Sequence, residues 1–135
     1  PRAIETGLQE SLELRQREST RPYQVAQCSL ALGDLYMLQS EYLQANVQLK
    51  RSLIQLEDIQ KREKLPTETL VQLHYDLGSV NYRLQDYGES AEHYREALRL
   101  MEQDPGDKYW NSVISGNLGL AYLRVGQREE GRKLL

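Results

Sequence analysis

The sequence predicts an all-α fold of antiparallel helical hairpins stacked one after another, and three observations predict it. Leu32-Gly33-Asp34-Leu35-Tyr36 recurs as Leu77-Gly78-Ser79-Val80-Asn81-Tyr82 and again as Leu118-Gly119-Leu120-Ala121-Tyr122. A longer pattern trails these blocks at fixed distances from the glycine. Tyr42, Ala45, Leu49, Ser52 and Leu53 follow the first, and Tyr87, Ser90, Tyr94, Ala97 and Leu98 follow the second. No segment sustains the period-two alternation of a half-buried strand.

Each helix can be placed in order. The first is expected over about residues 3–18, ending before Arg21-Pro22, because proline lacks an amide hydrogen and crowds the preceding turn. Ile4, Leu8, Ser11 and Leu12 keep the mutual spacing of Ala45, Leu49, Ser52 and Leu53, so this reads as the second helix of an earlier hairpin. The next helix, about 23–38, carries Ala26, Leu30, Leu32, Leu35 and Tyr36. Gln39-Ser40-Glu41 turns it into a helix over about 42–61, and Leu65-Pro66-Thr67 separates that from one over about 68–84.

Asp86 has Glu89 three residues on. This is the spacing of a capping box, in which two side chains satisfy orphan amides at a helix start. That helix should reach about Gln103. Asp104-Pro105-Gly106 interrupts the chain, Asp107 caps a helix to about Val125, and Gly126-Gln127 leads into a truncated last helix, giving about seven in all.

Gly33, Gly78 and Gly119 fall inside helices, where glycine costs roughly 1 kcal/mol relative to alanine. A close approach by the facing helix would offset that cost, with Ala45 and Ser90 as the expected knobs.

The pattern resembles the tetratricopeptide repeat, whose consensus runs Trp-x-x-Leu-Gly-x-x-Tyr and continues through Ala, Phe, Ala and Pro. Ser29, His74 and Ser115 stand in the tryptophan place, Tyr82 lies one residue past its expected position, and the third copy has Arg128 and Gly131 in the trailing positions. The glycines are 45 and 41 residues apart, against a usual period of about 34. The excess is close to whole helical turns, so each apolar stripe keeps its direction. The repeats are therefore similar to the long-helix variety of kinesin light chains, Pins-type adaptors and bacterial peptide-sensing regulators. The resemblance implies a right-handed superhelix (an α-α solenoid) forming a single domain over 1–135. Residues 1–21 would be the second helix of a preceding repeat, 22–65 and 66–106 whole repeats, and 107–135 a truncated third.

The 135 residues hold 17 basic and 20 acidic side chains. A mildly acidic chain without a dense basic stripe argues against nucleic acid as the main partner. No apolar run approaches the roughly 20 residues of a membrane-spanning helix. One cysteine excludes an internal disulfide framework and suits a reducing, cytoplasmic setting. A chain that begins and stops within hairpins reads as a piece of a longer array. Leu134 and Leu135 should then cover an adjoining helix, and the exposed ends could associate end to end.

Chemistry-bearing residues are sparse. His74 and His93 have no metal-ligand spacing between them or with Cys28, so no metal or other cofactor is expected, and one packed and one largely exposed histidine is the plain reading. Cys28 shares the repeat phase of Leu73 and Ile114 and reads as a small core residue. Tyr109-Trp110 is read as packing on the preceding repeat in preference to a docking pair. Lys61-Arg62-Glu63-Lys64 complements the negative end of a helix.

Family resemblance leaves the concave groove as the candidate site. It implies that residues one, four and five positions past each glycine, and three before it, point inward. These are Leu30, Asp34, Met37 and Leu38, then Tyr75, Ser79, Tyr82 and Arg83, then Gly116, Leu120, Leu123 and Arg124. Aromatic and apolar surface with two arginines suits a peptide of some acidic character. The lysines and asparagines of a carboxylate clamp are missing from these places. The expected function is a non-enzymatic interaction scaffold for a protein or peptide partner. The alternatives are the sensor domain of a regulator and a helical domain attached to an enzyme.

Overall fold

A computed structural model describes residues 2–103, 108–126 and 133, with side chains described for all of these except 2–9, 11–20 and 108. The described residues form five α-helices: α1 Arg2–Leu38, α2 Tyr42–Gln60, α3 Thr67–Arg83, α4 Tyr87–Gln103 and α5 Lys108–Arg124. None of them is long and apolar enough to cross a membrane. Helices α1 and α2 form one hairpin and α3 and α4 the next, with α5 packed on α4. The result is the stacked, all-helical solenoid that the periodicity demands.

The expected break at Arg21-Pro22 is absent, because α1 runs through Pro22 without interruption. Proline costs the helix one hydrogen bond, from its own missing amide to the carbonyl one turn earlier. Pro22 itself is exposed, and a helix tolerates the missing bond where water can satisfy the freed carbonyl. The expected first and second helices are thus one. Asp107 and the helix expected after Gly126-Gln127, including Leu134 and Leu135, lie outside the described residues.

The hairpin turns repeat more faithfully than their sequences do. Ser40, Gln85 and Gly126 each stand seven residues past a block glycine, and all three take the left-handed conformation, at φ 59°, 65° and 88°. In the first two turns the following amide reaches back to close the helix end, Glu41 N–H to Tyr36 O at 2.9 Å and Asp86 N–H to Asn81 O at 2.8 Å. This is the Schellman arrangement, which satisfies carbonyls the helix would otherwise leave bare.

Asp86 forms half of the expected capping box. Its carboxylate accepts from the Glu89 amide at 3.4 Å. The Glu89 side chain turns instead toward Lys50 at 3.5 Å and His93 at 3.8 Å, tying α4 to α2.

The core is a continuous apolar stack that includes Ala45, Leu49 and Leu56 of α2, Leu73, Leu77 and Val80 of α3, Tyr94 and Ala97 of α4, and Ile114 and Ala121 of α5. The glycines close it by different contacts from those expected. A Cβ on Gly33 would lie 2.6 Å from the Leu49 side chain, and one on Gly78 would lie 2.6 Å from the Tyr94 ring. The knobs are therefore Leu49 and Tyr94, one turn beyond Ala45 and Ser90. Ser90 acts through its hydroxyl, which donates to the Gly78 carbonyl at 2.6 Å.

Cys28 is exposed, unlike its phase-mates Leu73 and Ile114, which are buried. Those two face a preceding hairpin, whereas the corresponding face of α1 is open and also exposes Val25, Leu32 and Leu35.

Candidate groove between the second and third repeats

The side chains that converge do so between α3 and α5. Tyr75, Ser79, Tyr82 and Arg83 of α3, Tyr94 of α4, and Asn117 and Leu120 of α5 line a half-open groove of about 360 Å³. The periodicity of α3 explains its share: residues 75, 79, 82 and 83 recur at helical spacing along one face. Leu120 comes from α5 by the same phase relation to Gly119.

Two features of the local sequence bring aromatic surface here. Asn81 takes the buried place expected of a tyrosine and bonds its amide to the Leu77 carbonyl at 2.8 Å. The displaced ring, Tyr82, therefore swings to the groove, where it meets Tyr87 edge-on at 5.1 Å. Tyr94 arrives from the other helix because Gly78 has no side chain to stop it. Its ring crosses the glycine and its hydroxyl comes out 3.0 Å from Ser79 Oγ. Burial pushes the Tyr94 phenol up to about 12, so it stays a neutral partner of Ser79.

Beside this floor, Tyr75 stacks at a tilt on Trp110, ring centres 4.7 Å apart. Trp110 thus packs on the preceding repeat, while its neighbour Tyr109 remains 74% exposed. Arg124 lies over the Tyr87 ring at 5.8 Å and donates from Nε to the Tyr82 hydroxyl at 3.4 Å. This orients the guanidinium at the groove rim.

The inward set from the first repeat is not gathered into this groove. Leu30 and Met37 are partly buried and pack against the core, and Leu38 is 84% exposed. Asp34 is half-buried and faces Asp76 of α3 across the seam, where it acts on the Asp76 carboxyl. Leu123 is half-buried without lining the groove, and Gly116 offers open space. Tyr94 and Asn117 line the groove although the repeat phase does not place them there, and Asp76 lies buried outside its lining. Asn117 and Asp76 share one signal, each standing two residues before a block glycine.

Asp76 is the electrostatic anomaly of the region. It is 5% exposed, and burial, then the hydrogen bond and charge of Asp34, push its carboxyl up to about 8. Gln72 supports it from below, Nε2 donating to both carboxyl oxygens at 3.1 and 3.2 Å.

The histidines also pair. His74 Nδ1 and His93 Nδ1 are 3.0 Å apart, and the His93 side chain is only 13% exposed, so neither ring is the exposed one expected. Burial holds both below the usual imidazole range, His74 at about 4. Among the described residues no group of three or more His, Cys, Asp or Glu is placed to hold a metal.

The fold and its groove define a helical-hairpin solenoid with an open concave site. Residues 69–135 match the family model of the tetratricopeptide repeat. That stretch carries tetratricopeptide repeats, a fold generally used for protein interaction rather than catalysis. No curated protein matches the sequence significantly.

Several solved structures share the fold, two of which are informative. The N-terminal domain of stress-induced protein-1 from C. elegans matches with a TM-score of 0.66 at 12% identity, covering 84% of this chain and 80% of that one. The Rap conjugation gene regulator of plasmid pLS20, solved in complex with the Phr* peptide, matches with a TM-score of 0.73 at 15% identity. That match covers 88% of this chain and 32% of the regulator.

Proposed function

We propose that the chain is a non-enzymatic interaction scaffold that binds a peptide segment of a partner protein in its concave groove, in the cytoplasm. The observation that carries this reading is the half-open groove between α3 and α5, with Tyr75, Tyr82 and Leu120 as apolar surface and Arg83 and Arg124 at its edge. A concave, aromatic-lined site with a few convergent polar groups is what peptide recognition on such a scaffold requires. The test is partner recovery from the parent cell by the wild type and by an Arg83→Glu/Arg124→Glu variant. The variant should lose the partner while keeping its helical spectrum. Equal recovery by a folded variant would refute the groove as the site.

A second reading is a sensor domain whose curvature a peptide changes. Its support is the backbone likeness to the Rap regulator, which was solved with a peptide. Solution scattering separates the two: a scaffold keeps its radius of gyration on binding and a sensor changes it. The exposed Val25, Leu32 and Leu35 on α1 also suit end-to-end association, which sedimentation at rising concentration would reveal.

A further inference from the structure

The open face of α1 has the make-up of an interface. Val25, Cys28, Leu32 and Leu35 stand 45 residues before Leu70, Leu73, Leu77 and Val80 of α3, which are all buried. Helices α1 and α3 each pack on the second helix of their own hairpin. What covers the four on α3 and leaves them bare on α1 is therefore the hairpin before. From Gln24 to Leu38 no exposed residue of α1 is charged, whereas the exposed residues of α4 include Glu92, Arg95, Arg99 and Glu102. A solvated helix face carries charges, and an uncharged stripe at helical spacing suits another helix.

The amino-terminal half of α1 has the sequence of such a helix. Ile4, Leu8, Ser11 and Leu12 keep the spacing of Ala45, Leu49, Ser52 and Leu53, 41 residues on, in the helix that α3 packs against from the hairpin before. To fold back over its own α1, this segment would need a turn. Helix α2 ends at Gln60 and α3 starts at Thr67, which leaves residues 61–66 for the connection. Carried back by 41 and 45 residues, those two ends fall at Ser19 and Pro22, with only Thr20 and Arg21 between them. Neither is a glycine, and α1 runs straight through both. A hinge too short to turn favours exchange of the same contact between two copies.

We infer that two copies of this chain pair through α1, residues 2–16 of each lying antiparallel on the Gln24–Leu38 face of the other. The two-fold axis passes near Thr20, which sets position 12 of one copy opposite position 28 of the second, and position 8 opposite position 32. The pairing uses the face proposed above for end-to-end association, but gives it one partner and one register. It is isologous and stops at two, whereas end-to-end stacking continues.

The test uses the 135-residue chain, whose one cysteine is Cys28, and its Leu12→Cys variant. A short bismaleimide should link the variant into covalent dimers on denaturing gels. It should leave the wild type as single chains, because its two Cys28 side chains lie on opposite sides of the axis. Across a concentration series, sedimentation of the wild type should level off at the mass of two chains. A Leu32→Arg/Leu35→Arg variant, changed only at exposed positions, should give the mass of one with its helical spectrum kept. A link formed within one Leu12→Cys chain would show the segment folded back on its own helix and overturn the exchange. Wild-type dimers linked through Cys28 alone would overturn the register. A mass that climbs past two chains would overturn exchange and leave end-to-end association standing, and a strict monomer would overturn both.

Discussion

The ring of Tyr94 lies directly across the bare α-carbon of Gly78, so close that a Cβ there would sit 2.6 Å from Cε1. This contact lets the second hairpin close, and it carries the Tyr94 hydroxyl through to the groove. Glycine here trades helix propensity for a close approach of two helices.

Gly78→Leu should therefore destabilise the fold by overpacking, by about 1–3 kcal/mol. The ring cannot step aside cheaply, being buried and bonded to Ser79. Gly116→Ala is the matching control. Nothing lies within 4 Å of its Cβ position, so it should stabilise by up to about 1 kcal/mol through helix propensity alone. Urea melts of the two variants give both signs in one experiment.

Gln85 holds a left-handed conformation that its side chain disfavours, at φ 65°. Gln85→Gly relieves that strain while keeping the backbone bonds of the turn, and should raise stability by about 1 kcal/mol. The same change at exposed Arg95, within α4, should lower it by a similar amount. Thermal melts that move both variants the same way would contradict this view of the turn.

Asp76 gives stability an alkaline weakness. Its carboxyl is raised to about 8 in the fold, from an ordinary 3.8. The folded state therefore holds a proton the unfolded chain has lost. That contribution is complete below about pH 4 and fades as pH rises through 8. Asp76→Asn, which mimics the protonated form and still accepts from Gln72, should flatten this part of the profile. Denaturation between pH 6 and 9 that falls equally in both proteins would exclude Asp76 as the cause.

The histidine pair works in the opposite direction. Both rings are held neutral by burial, so the unfolded chain takes up protons first as the solution is acidified. Their contribution is complete above about pH 6.5 and is lost as pH falls toward the His74 value of about 4. Proton NMR of the His74 ring should show no titration at pH 6. A midpoint near 6.5 would mean that the His74–His93 contact is not formed.

Several parts of this architecture were legible in the sequence. The three glycine blocks give the helix phase, and phase alone brings Tyr75, Ser79, Tyr82, Arg83 and Leu120 to one groove. Phase does not report reach. Tyr94 belongs to the opposite helix and enters only because Gly78 is bare, a contact between residues 16 apart that no single-helix pattern contains. Leu30 and Met37 have the inward phase, yet they lie partly buried against the core and stay out of the groove. Pro22 carries the local cost of a helix break, yet α1 continues through it at an exposed position, which local sequence alone does not report. The pairing of Asp34 with Asp76, and of His74 with His93, depends on three-dimensional proximity that composition and spacing leave open.

Site-directed photo-crosslinking tests the peptide-binding groove most directly. A photoreactive residue would replace Tyr82 or Leu120 in the groove, or Leu43 or Ile54 on exposed apolar positions of α2. With a peptide selected for binding to the wild type, adducts should form from the groove positions and be absent from α2. Adducts of equal yield from both faces, or from α2 alone, would contradict a groove-bound ligand.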